Sequence, residues 1–115
     1  MKFRIKIDDT LPGGVQGKPG ELPAWFVLHQ PYPNPARTRL NIRYGVPRAT
    51  MVSIKLYDIT GRNCRTLLEQ MGKPGYYNIT WDGKDNYGKE LPNGVYIVRM
   101  KAENHHEQKK AVLMR

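Results

Sequence analysis

Cysteine and long apolar runs are almost absent from this sequence. The single cysteine, Cys64, cannot form a disulfide within the chain, so the fold must hold without a covalent cross-link. The longest apolar runs, such as residues 95–98 and 111–114, are far shorter than the about 20 residues that span a bilayer. Residues 1–9 also lack the apolar stretch of about 7–15 residues that a secretory signal peptide requires. We therefore expect no membrane insertion, and either no signal peptide or a fragment of a longer chain.

Acidic residues are also scarce, since the chain has 19 basic and 10 acidic side chains and a net charge of +9. An excess of this size makes nucleic acid and anionic surfaces worth considering as partners. The basic residues are nevertheless spread along the chain, and most alternate with apolar residues, as on the solvated face of a sheet. Because no recognised motif accompanies the charge, we do not expect nucleic acid as a partner.

Helical periodicity is missing as well, whereas apolar residues recur with a period of two. The length of 115 residues fits a single domain. Trp81 ends one alternating segment, and Cys64 begins another, where we expect it to be an inert buried side chain. Six segments have the strand pattern: residues 40–46, 52–57, 64–68, 77–81, 96–100 and 106–114.

Turn signals separate these segments. The glycines within them fall where a positive φ is expected, and 11 glycines with 9 prolines leave little room for helices. Many short strands at such spacing are typical of a sandwich. We therefore predict an all-β fold, an immunoglobulin-like or fibronectin-like antiparallel β-sandwich of about seven strands, with an N-terminal strand and linker.

The first 24 residues differ in character from the rest. Phe3, Ile5 and Ile7 alternate with basic residues, which predicts a strand, and a linker rich in proline and glycine follows. We therefore divide the chain into residues 1–24, the strand and linker, and residues 25–115, the sandwich module. Three roles stay open for the arm: it folds back as an edge strand, it ends a preceding domain, or it adds to the sheet of a neighbouring copy.

No arrangement of nucleophile, histidine and carboxylate in the sequence indicates catalysis, so we predict a protein that is not an enzyme and has no cofactor. Calcium is a weak alternative, because the oxygen-bearing residues of one loop do not have the spacing of a calcium-binding loop. These candidate calcium ligands are Asp82, Asp85, Asn86 and Glu90.

The histidines do not form a metal-binding pattern. His105 and His106 are adjacent, and neighbouring side chains on a strand point to opposite faces, so the two imidazoles cannot readily share one ion. We expect a solvated hairpin turn at residues 105–107. His29 is expected in the linker region without a partner.

Several ordered motifs resemble a large bacterial family of C-terminal modules. FVLHQPYPNP at residues 26–35 is similar to that family's opening motif L-x-Q-N-Y-P-N-P, and VSIKLYDITGR at residues 52–62 to V-x-L-x-I-Y-D-x-x-G-R. The likeness continues through PGYYNITWDGKDNYG at residues 74–88, NGVY at 93–96 and the closing KAVLMR at 110–115. Pro31 stands where the family usually has asparagine, and Cys64 where it usually has valine.

This family is that of type IX secretion sorting domains, and it is similar to the immunoglobulin-like domain of the flagellar hook-capping scaffold protein. The resemblance implies a non-catalytic module of an extracellular or cell-surface protein, serving sorting, surface attachment or assembly. Its implied partners are a passenger domain or the secretion or assembly machinery, and other copies of itself. The structural motif residues are Pro33, Asn34, Pro35, Tyr57, Asp58, Gly61, Trp81, Asp82, Gly83, Gly88, Gly94 and Tyr96.

Two other functions stay open. The first is a self-assembling extracellular structural subunit, in which the arm of Phe3, Ile5 and Ile7 donates a strand to the next copy. The second is a carbohydrate-binding module that uses the two tryptophans and seven tyrosines. The alternation places Trp81 and Tyr44, Tyr77 and Tyr96 on apolar faces, so we expect these four aromatic side chains in the core.

Overall fold

The computed structural model describes residues 22–115, which form seven strands in two sheets. β1, β2 and β5 make a three-stranded sheet in the order β1-β2-β5, and the other strands make a four-stranded sheet in the order β4-β3-β6-β7. The predicted all-β sandwich is confirmed. The strands are β1 (Val27–Leu28), β2 (Leu40–Val46), β3 (Thr50–Asp58), β4 (Asn63–Gly72), β5 (Gly75–Trp81), β6 (Gly94–Ala102) and β7 (His105–Leu113).

Two further expectations from the sequence concern the N-terminal arm and membrane insertion. The predicted arm at Phe3, Ile5 and Ile7 and nearly all of the linker lie outside the described residues. Within residues 22–115, no helix has the length and hydropathy needed to cross a bilayer.

The six segments predicted from alternation are all strands. Each strand pair is antiparallel, and β3 is paired on both sides, with Leu56 opposite Arg65 of β4 and Val98 of β6. In β6, Tyr96, Val98 and Met100 are buried while the residues between them are at least partly exposed. The period of two therefore reports which side chains face the opposite sheet.

The core lies between the two sheets and is built from these alternating side chains. Trp81 is its largest fully buried side chain, at 1% exposure, and Cys64 is buried, with its thiol 3.6 Å from the carbonyl oxygen of Arg62. Each large apolar side chain moved from water into such a core contributes about 1.5–3 kcal/mol. Trp81, Tyr44 and Tyr96 are buried as predicted, and Tyr77 is partly buried.

β1 is a strand that the sequence pattern did not predict. Val27 pairs with Gly45 and Leu28 with Tyr44, so Phe26 and Leu28 enter the core from the edge of the three-stranded sheet. Gly45 is required for this approach, because a Cβ there would lie 2.9 Å from Cγ1 of Val27. The segment before the first predicted strand therefore belongs to the sandwich.

The chain beyond β1 closes one side of the sandwich against β7. The side-chain amide of Gln30 donates to the carbonyl oxygen of Lys110 at 2.8 Å. The backbone N–H of Ala36 donates to the carbonyl oxygen of Val112 at 2.7 Å. Met114 then donates its N–H to Ala36 at 2.8 Å. These hydrogen bonds join the two sheets along β7.

The expected hairpin turn at residues 105–107 is wrong. The turn is formed by Glu103 and Asn104, with Glu103 at φ 54°, and His105 already belongs to β7. The imidazole of His105 stacks on the ring of Phe26 at 5.7 Å between centroids, so it is half-buried and not solvated. The tight two-residue turn and the apolar ring of Phe26 together draw His105 into the strand.

His29 also differs from its expected place in a linker. It directly follows β1, and its backbone N–H donates to the carbonyl oxygen of Arg43 at 3.0 Å. Burial, helped by the positive charge of Arg43, lowers the pKa of its imidazole below the ordinary value. His29 is therefore part of the β1–β2 pairing, and its ring favours the neutral form.

Glu107 connects the two sheets through its carboxylate. Oε1 accepts the backbone N–H of Leu28 at 3.0 Å and lies 3.1 Å from Nε2 of His105, while Oε2 lies 3.4 Å from Nζ of Lys109. Burial alone would raise the pKa of Glu107, but the hydrogen bonds from His105 and Leu28 and the charge of Lys109 outweigh it and lower that pKa. The charged carboxylate is therefore the form that holds β1 against β7.

We expect Glu107→Gln to lower the free energy of unfolding by about 1 kcal/mol near neutral pH, because charge-assisted hydrogen bonds become ordinary ones. A lowered pKa in the folded state contributes stability above the unfolded pKa, and this contribution is lost as pH falls through the folded pKa. The difference between wild type and variant should therefore vanish in acid. Urea unfolding from about pH 7 to about pH 2 measures it.

The matched control for this prediction is Glu69→Gln on β4, whose carboxylate is exposed and lies 3.6 Å from Lys55. An exposed pair of this kind contributes little, so the control should change stability by less than about 0.5 kcal/mol. A difference between wild type and Glu107→Gln that persists unchanged in acid would show that the carboxylate charge is not what joins the strands.

Candidate interaction site

The sequence motif around Trp81 forms one end of the sandwich. Its indole Nε1 donates to the carbonyl oxygen of Lys84 at 2.9 Å, and its ring packs edge-on against Tyr96 at 5.6 Å between centroids. The hydroxyl of Tyr96 donates to the carbonyl oxygen of Pro92 at 2.6 Å. The two polar groups of these buried aromatic side chains thus fix the start and the end of the loop at residues 82–93.

The oxygen atoms proposed as calcium ligands organise this loop through hydrogen bonds. Asp82 Oδ1 accepts from Arg65 at 3.0 Å and from the N–H of Lys84 at 3.1 Å, and Asp85 Oδ1 accepts two backbone N–H groups at 2.9 Å each. Asn86 Oδ1 accepts the N–H of Thr66 at 2.9 Å.

The two aspartates of this loop are already engaged by hydrogen bonds and by a positive charge. Hydrogen bonds from backbone N–H groups, that of Lys89 above all, lower the pKa of Asp85. Burial alone would raise the pKa of Asp82, but the hydrogen bond from the N–H of Lys84 and the positive charge of Arg65 outweigh it and lower that pKa. Glu90 is exposed and pairs with Lys84 across the loop. Within residues 22–115, no three histidine, cysteine or acidic side chains are grouped to hold a metal ion.

Arg115 fastens the last residues of the chain to the same loop. Its backbone N–H donates to Asn93 Oδ1 at 3.0 Å, and its guanidinium donates to the carbonyl oxygens of Leu91 and Gly83. Gly83 has φ 81°, and a Cβ there would lie 2.7 Å from Nη2 of Arg115. The guanidinium therefore occupies the space that a side chain at Gly83 would need.

The remaining motif residues lie in two loops and at the start of β6. Pro33, Asn34 and Pro35 form an exposed loop that follows Tyr32, and Tyr32 makes an isolated antiparallel β-bridge with Asn41. The peptide bonds before both prolines are cis. Gly88 has φ 84° in the loop at residues 82–93, and Gly94 begins β6.

The turn after β3 is organised by Asp58. Its Oδ1 accepts from the N–H and the hydroxyl of Thr60 and from the N–H of Arg62, at 2.6–3.1 Å, and Gly61 follows with φ 91°. The hydrogen bond from Thr60, supported by those from Arg62, lowers the pKa of Asp58. This turn places Tyr57 and Gly61 at the border of the outer sheet face.

Basic side chains gather on the outward face of the four-stranded sheet. Lys55 of β3 pairs with Arg99 of β6, Lys101 of β6 pairs with His106 of β7, and Lys110 of β7 pairs with Ile97. Lys55, Arg99 and Lys101 alternate with buried residues, so they point away from the core. In β7, His106 and Lys110 are exposed, whereas the residues on either side of them are partly or fully buried. We call Lys55, Arg99, Lys101, His106 and Lys110 the basic face.

Arg99 lies at the centre of the basic face. Its guanidinium carbon is 5.0 Å from the ring centroid of Tyr57, and both Nε and Nη2 donate to Oε1 of Gln108 at 3.3 Å. Lys55 has a carboxylate neighbour, Glu69, at 3.6 Å. The guanidinium of Arg99 is thus held by Tyr57 and Gln108, and the positive charge of the face is only partly neutralised.

Two shallow hollows lie on this face, and Arg99 and Gln108 line both. One, of about 330 Å³, is also lined by His106 and Glu107. The other, of about 170 Å³, is also lined by Tyr57, Asp58, Ile59, Gly61 and Ile97. The motif residues Tyr57, Asp58 and Gly61 are therefore brought beside the basic face, a connection that their sequence positions do not show.

Some of the aromatic residues considered for sugar binding lie in the core, whereas Trp25, Tyr32, Tyr76 and Tyr87 are exposed. Trp81, Tyr44 and Tyr96 are buried in the core. Trp25 and Tyr87 are exposed, but Trp25 adjoins Phe26 at the β1 end and Tyr87 lies in the loop at residues 82–93.

The basic face was missed by the sequence analysis, although its residues were read as a solvated sheet face. The alternation of apolar and polar residues already places Arg99 and Lys101 on the same outward face of β6. Only the pairing of β3, β6 and β7 shows that the outward cations of three strands meet.

We expect Gly83→Ala to destabilise the fold by about 1–2 kcal/mol more than Gly88→Ala. Both glycines have nearly the same positive φ, so both variants suffer the same backbone strain, of about 1–2 kcal/mol. Only the alanine at position 83 displaces the guanidinium of Arg115, with loss of two hydrogen bonds of about 1 kcal/mol each. Urea unfolding of both variants measures the difference.

The same pair of variants in an Arg115→Ala background is the control. Without the guanidinium, Gly83→Ala and Gly88→Ala should lower the free energy of unfolding by the same amount. If the two substitutions lower the free energy of unfolding equally when Arg115 is present, the role of Arg115 in fixing the loop is contradicted.

Comparison with known proteins gives this fold and these motifs a family. The model of the family described as "Secretion system C-terminal sorting domain" matches residues 30–114. The basal-body rod modification protein FlgD of Salmonella typhimurium is 38% identical over 56 residues, which cover 49% of this chain and 24% of that protein, and FlgD of Salmonella typhi matches equally.

Two solved structures from Porphyromonas gingivalis have the same fold. Dimeric latent PorU aligns with a TM-score of 0.62 at 21% identity, over 96% of this chain and 10% of PorU. PorZ, described as an essential bacterial surface component of the type IX secretion system, aligns with a TM-score of 0.51 at 21% identity, over 78% of this chain and 11% of PorZ. The chain thus corresponds to a small part of each of these proteins. Since the family model matches well over half of the residues, the chain belongs to the family of secretion system C-terminal sorting domains.

Proposed function

We propose that residues 25–115 direct a passenger, joined before β1, through a type IX secretion system to the exterior or the surface of a bacterial cell, without catalysing a reaction themselves. The observation that carries this proposal is the direction of the chain through the sandwich. Val27 pairs with Gly45 at one end of β2, whereas Leu40, at the other end of β2, pairs with Trp81 beside the loop that holds Arg115.

This geometry separates the attachment point from the chain end. A passenger placed before β1 would lie at the Gly45 end, and the loop at residues 82–93 with Arg115 would stay accessible at the other end. The basic face runs along the four-stranded sheet, whereas β1 lies at the edge of the other sheet. Family membership supports a sorting role, and the separation of the ends explains how one module can serve different passengers.

We expect a reporter protein with an export signal, fused before the full 115-residue chain, to appear outside or on the surface of a host that carries a type IX secretion system. Quantitative immunoblotting of medium, intact cells and lysate measures it. The same reporter without the chain, and the fusion in a host whose type IX system is inactivated, should both remain inside. Equal release from the inactivated host would contradict the proposal.

Self-assembly is a second candidate, because the structure has an edge that could accept a strand. Among the described residues, β4 and β5 each pair with one neighbour, and both occupy the side of the sandwich opposite β1 and β7. Met71 of the edge strand β4 is exposed, and so is its partner Met51 on the neighbouring strand β3. An apolar, unpaired edge of this kind is a template for an added strand such as the arm of Phe3, Ile5 and Ile7.

If the arm joins copies, replacing Phe3, Ile5 and Ile7 together by serine should shift the full chain towards monomer, because the added strand loses its apolar face. Light scattering after size exclusion, over a concentration series, measures the mass. Serine at Lys2, Arg4 and Lys6 alters the other face of the same segment and should leave the mass distribution unchanged. A wild-type chain that is monomeric throughout would rule out this candidate.

A further inference from the structure

We propose that the basic face binds an acidic, extended segment of another protein, with Arg99 and Lys101 as the central contacts. The inference rests on the proposed function, because the partner would be a protein of the export or attachment machinery. It adds to that function the surface used and the chemistry of the segment recognised.

The basic face contains a charge arrangement that the fold itself does not need. Lys55 lies directly opposite Arg99 in the register of β3 and β6. Like charges directly opposite each other in an antiparallel pair are destabilising. Glu69 offsets this only at Lys55, from 3.6 Å, and the carboxylate of Asp58 is engaged by Thr60 and Arg62. A partner's carboxylates would remove the repulsion.

The spacing of the two central cations matches that of an extended peptide. Arg99 and Lys101 are two residues apart on one face of β6, so their positions repeat at about 6.6 Å along the strand. Alternate side chains of any extended segment repeat at the same interval. A segment with an acidic residue at every second position can therefore place successive carboxylates over Arg99 and Lys101.

Apolar residues beside Arg99 favour a protein as the partner. Ile59, Ile97 and Tyr57 line the smaller hollow beside Arg99, and Ile59 is 77% exposed. A protein segment offers apolar side chains for these residues as well as carboxylates for the cations, whereas a nucleic acid or a sulfated polysaccharide offers mainly charge. A second copy of this chain is a poor source of such an acidic segment, because the chain has 19 basic and only 10 acidic side chains.

The probe for the test is a short fluorescent peptide in which glutamate alternates with tyrosine and threonine. We expect it to bind the full chain, as measured by fluorescence anisotropy, and the double variant Arg99→Gln, Lys101→Gln to bind it about tenfold or more weakly. The matched control is Arg37→Gln, Arg39→Gln, which removes the same charge from exposed positions between β1 and β2. That variant should change the affinity by less than about twofold.

Three results would overturn the proposal. Equal weakening by both double variants would show that the peptide responds only to net charge. Unchanged binding of a peptide with glutamine in place of glutamate would show that carboxylates are not recognised. Tighter binding of heparin or DNA than of the acidic peptide, with the same dependence on Arg99 and Lys101, would assign the face to a polyanion.

The export assay separates this inference from the proposed function. We expect the Arg99→Gln, Lys101→Gln variant to reduce the export of the reporter fusion, and the Arg37→Gln, Arg39→Gln variant to leave it unchanged. Normal export of both variants would overturn the role of the basic face while leaving the sorting function intact. Failure of the wild-type fusion to be exported would instead overturn the proposed function, whatever the peptide binds.

Discussion

Trp81 packs edge-on against Tyr96 across the two sheets, and most of the far end of the molecule is arranged around this contact. Trp81 ends β5 in the three-stranded sheet, whereas Tyr96 lies near the start of β6 in the other sheet. Two large rings of this kind bury a large apolar area, and the edge-on arrangement adds a favourable interaction between them. Burying them brings one indole N–H and one phenol hydroxyl out of water, and each must find an acceptor.

The loop at residues 82–93 supplies those acceptors through its own backbone. The carbonyl oxygens of Lys84 and Pro92 accept from the two rings, and Arg115 then binds carbonyl oxygens of Gly83 and Leu91. Asp82 and Asp85 use their carboxylates to satisfy N–H groups inside the loop. A loop that is rich in acidic residues is thus explained by the need to satisfy backbone groups around a buried aromatic pair.

The strands could be predicted because alternation is a local pattern, and each of the six long strands contains enough residues to show it. β1 could not, because it has two residues, and its burial depends on Gly45 in another strand. His105 was misplaced for a related reason, since its environment is set by Phe26, which is distant in sequence. The family motifs were readable, but the nearness of Tyr57 to Arg99 depends on the register of β3 and β6.

The same distinction separates what holds the sandwich together from what is available for recognition. Inward side chains, the loop around Trp81 and the carboxylate of Glu107 account for the contacts between the two sheets. Arg99 and Lys101 contribute to none of these, and the pairing of Lys55 with Arg99 places two positive charges opposite each other. In a solvated sheet face chosen only for solubility, alternating signs would serve better, because cross-strand pairs of opposite charge stabilise the sheet. Positive charge exceeds negative charge on this face, since Glu69 offsets it only at Lys55, and the proposed contact with an acidic segment would relieve that excess.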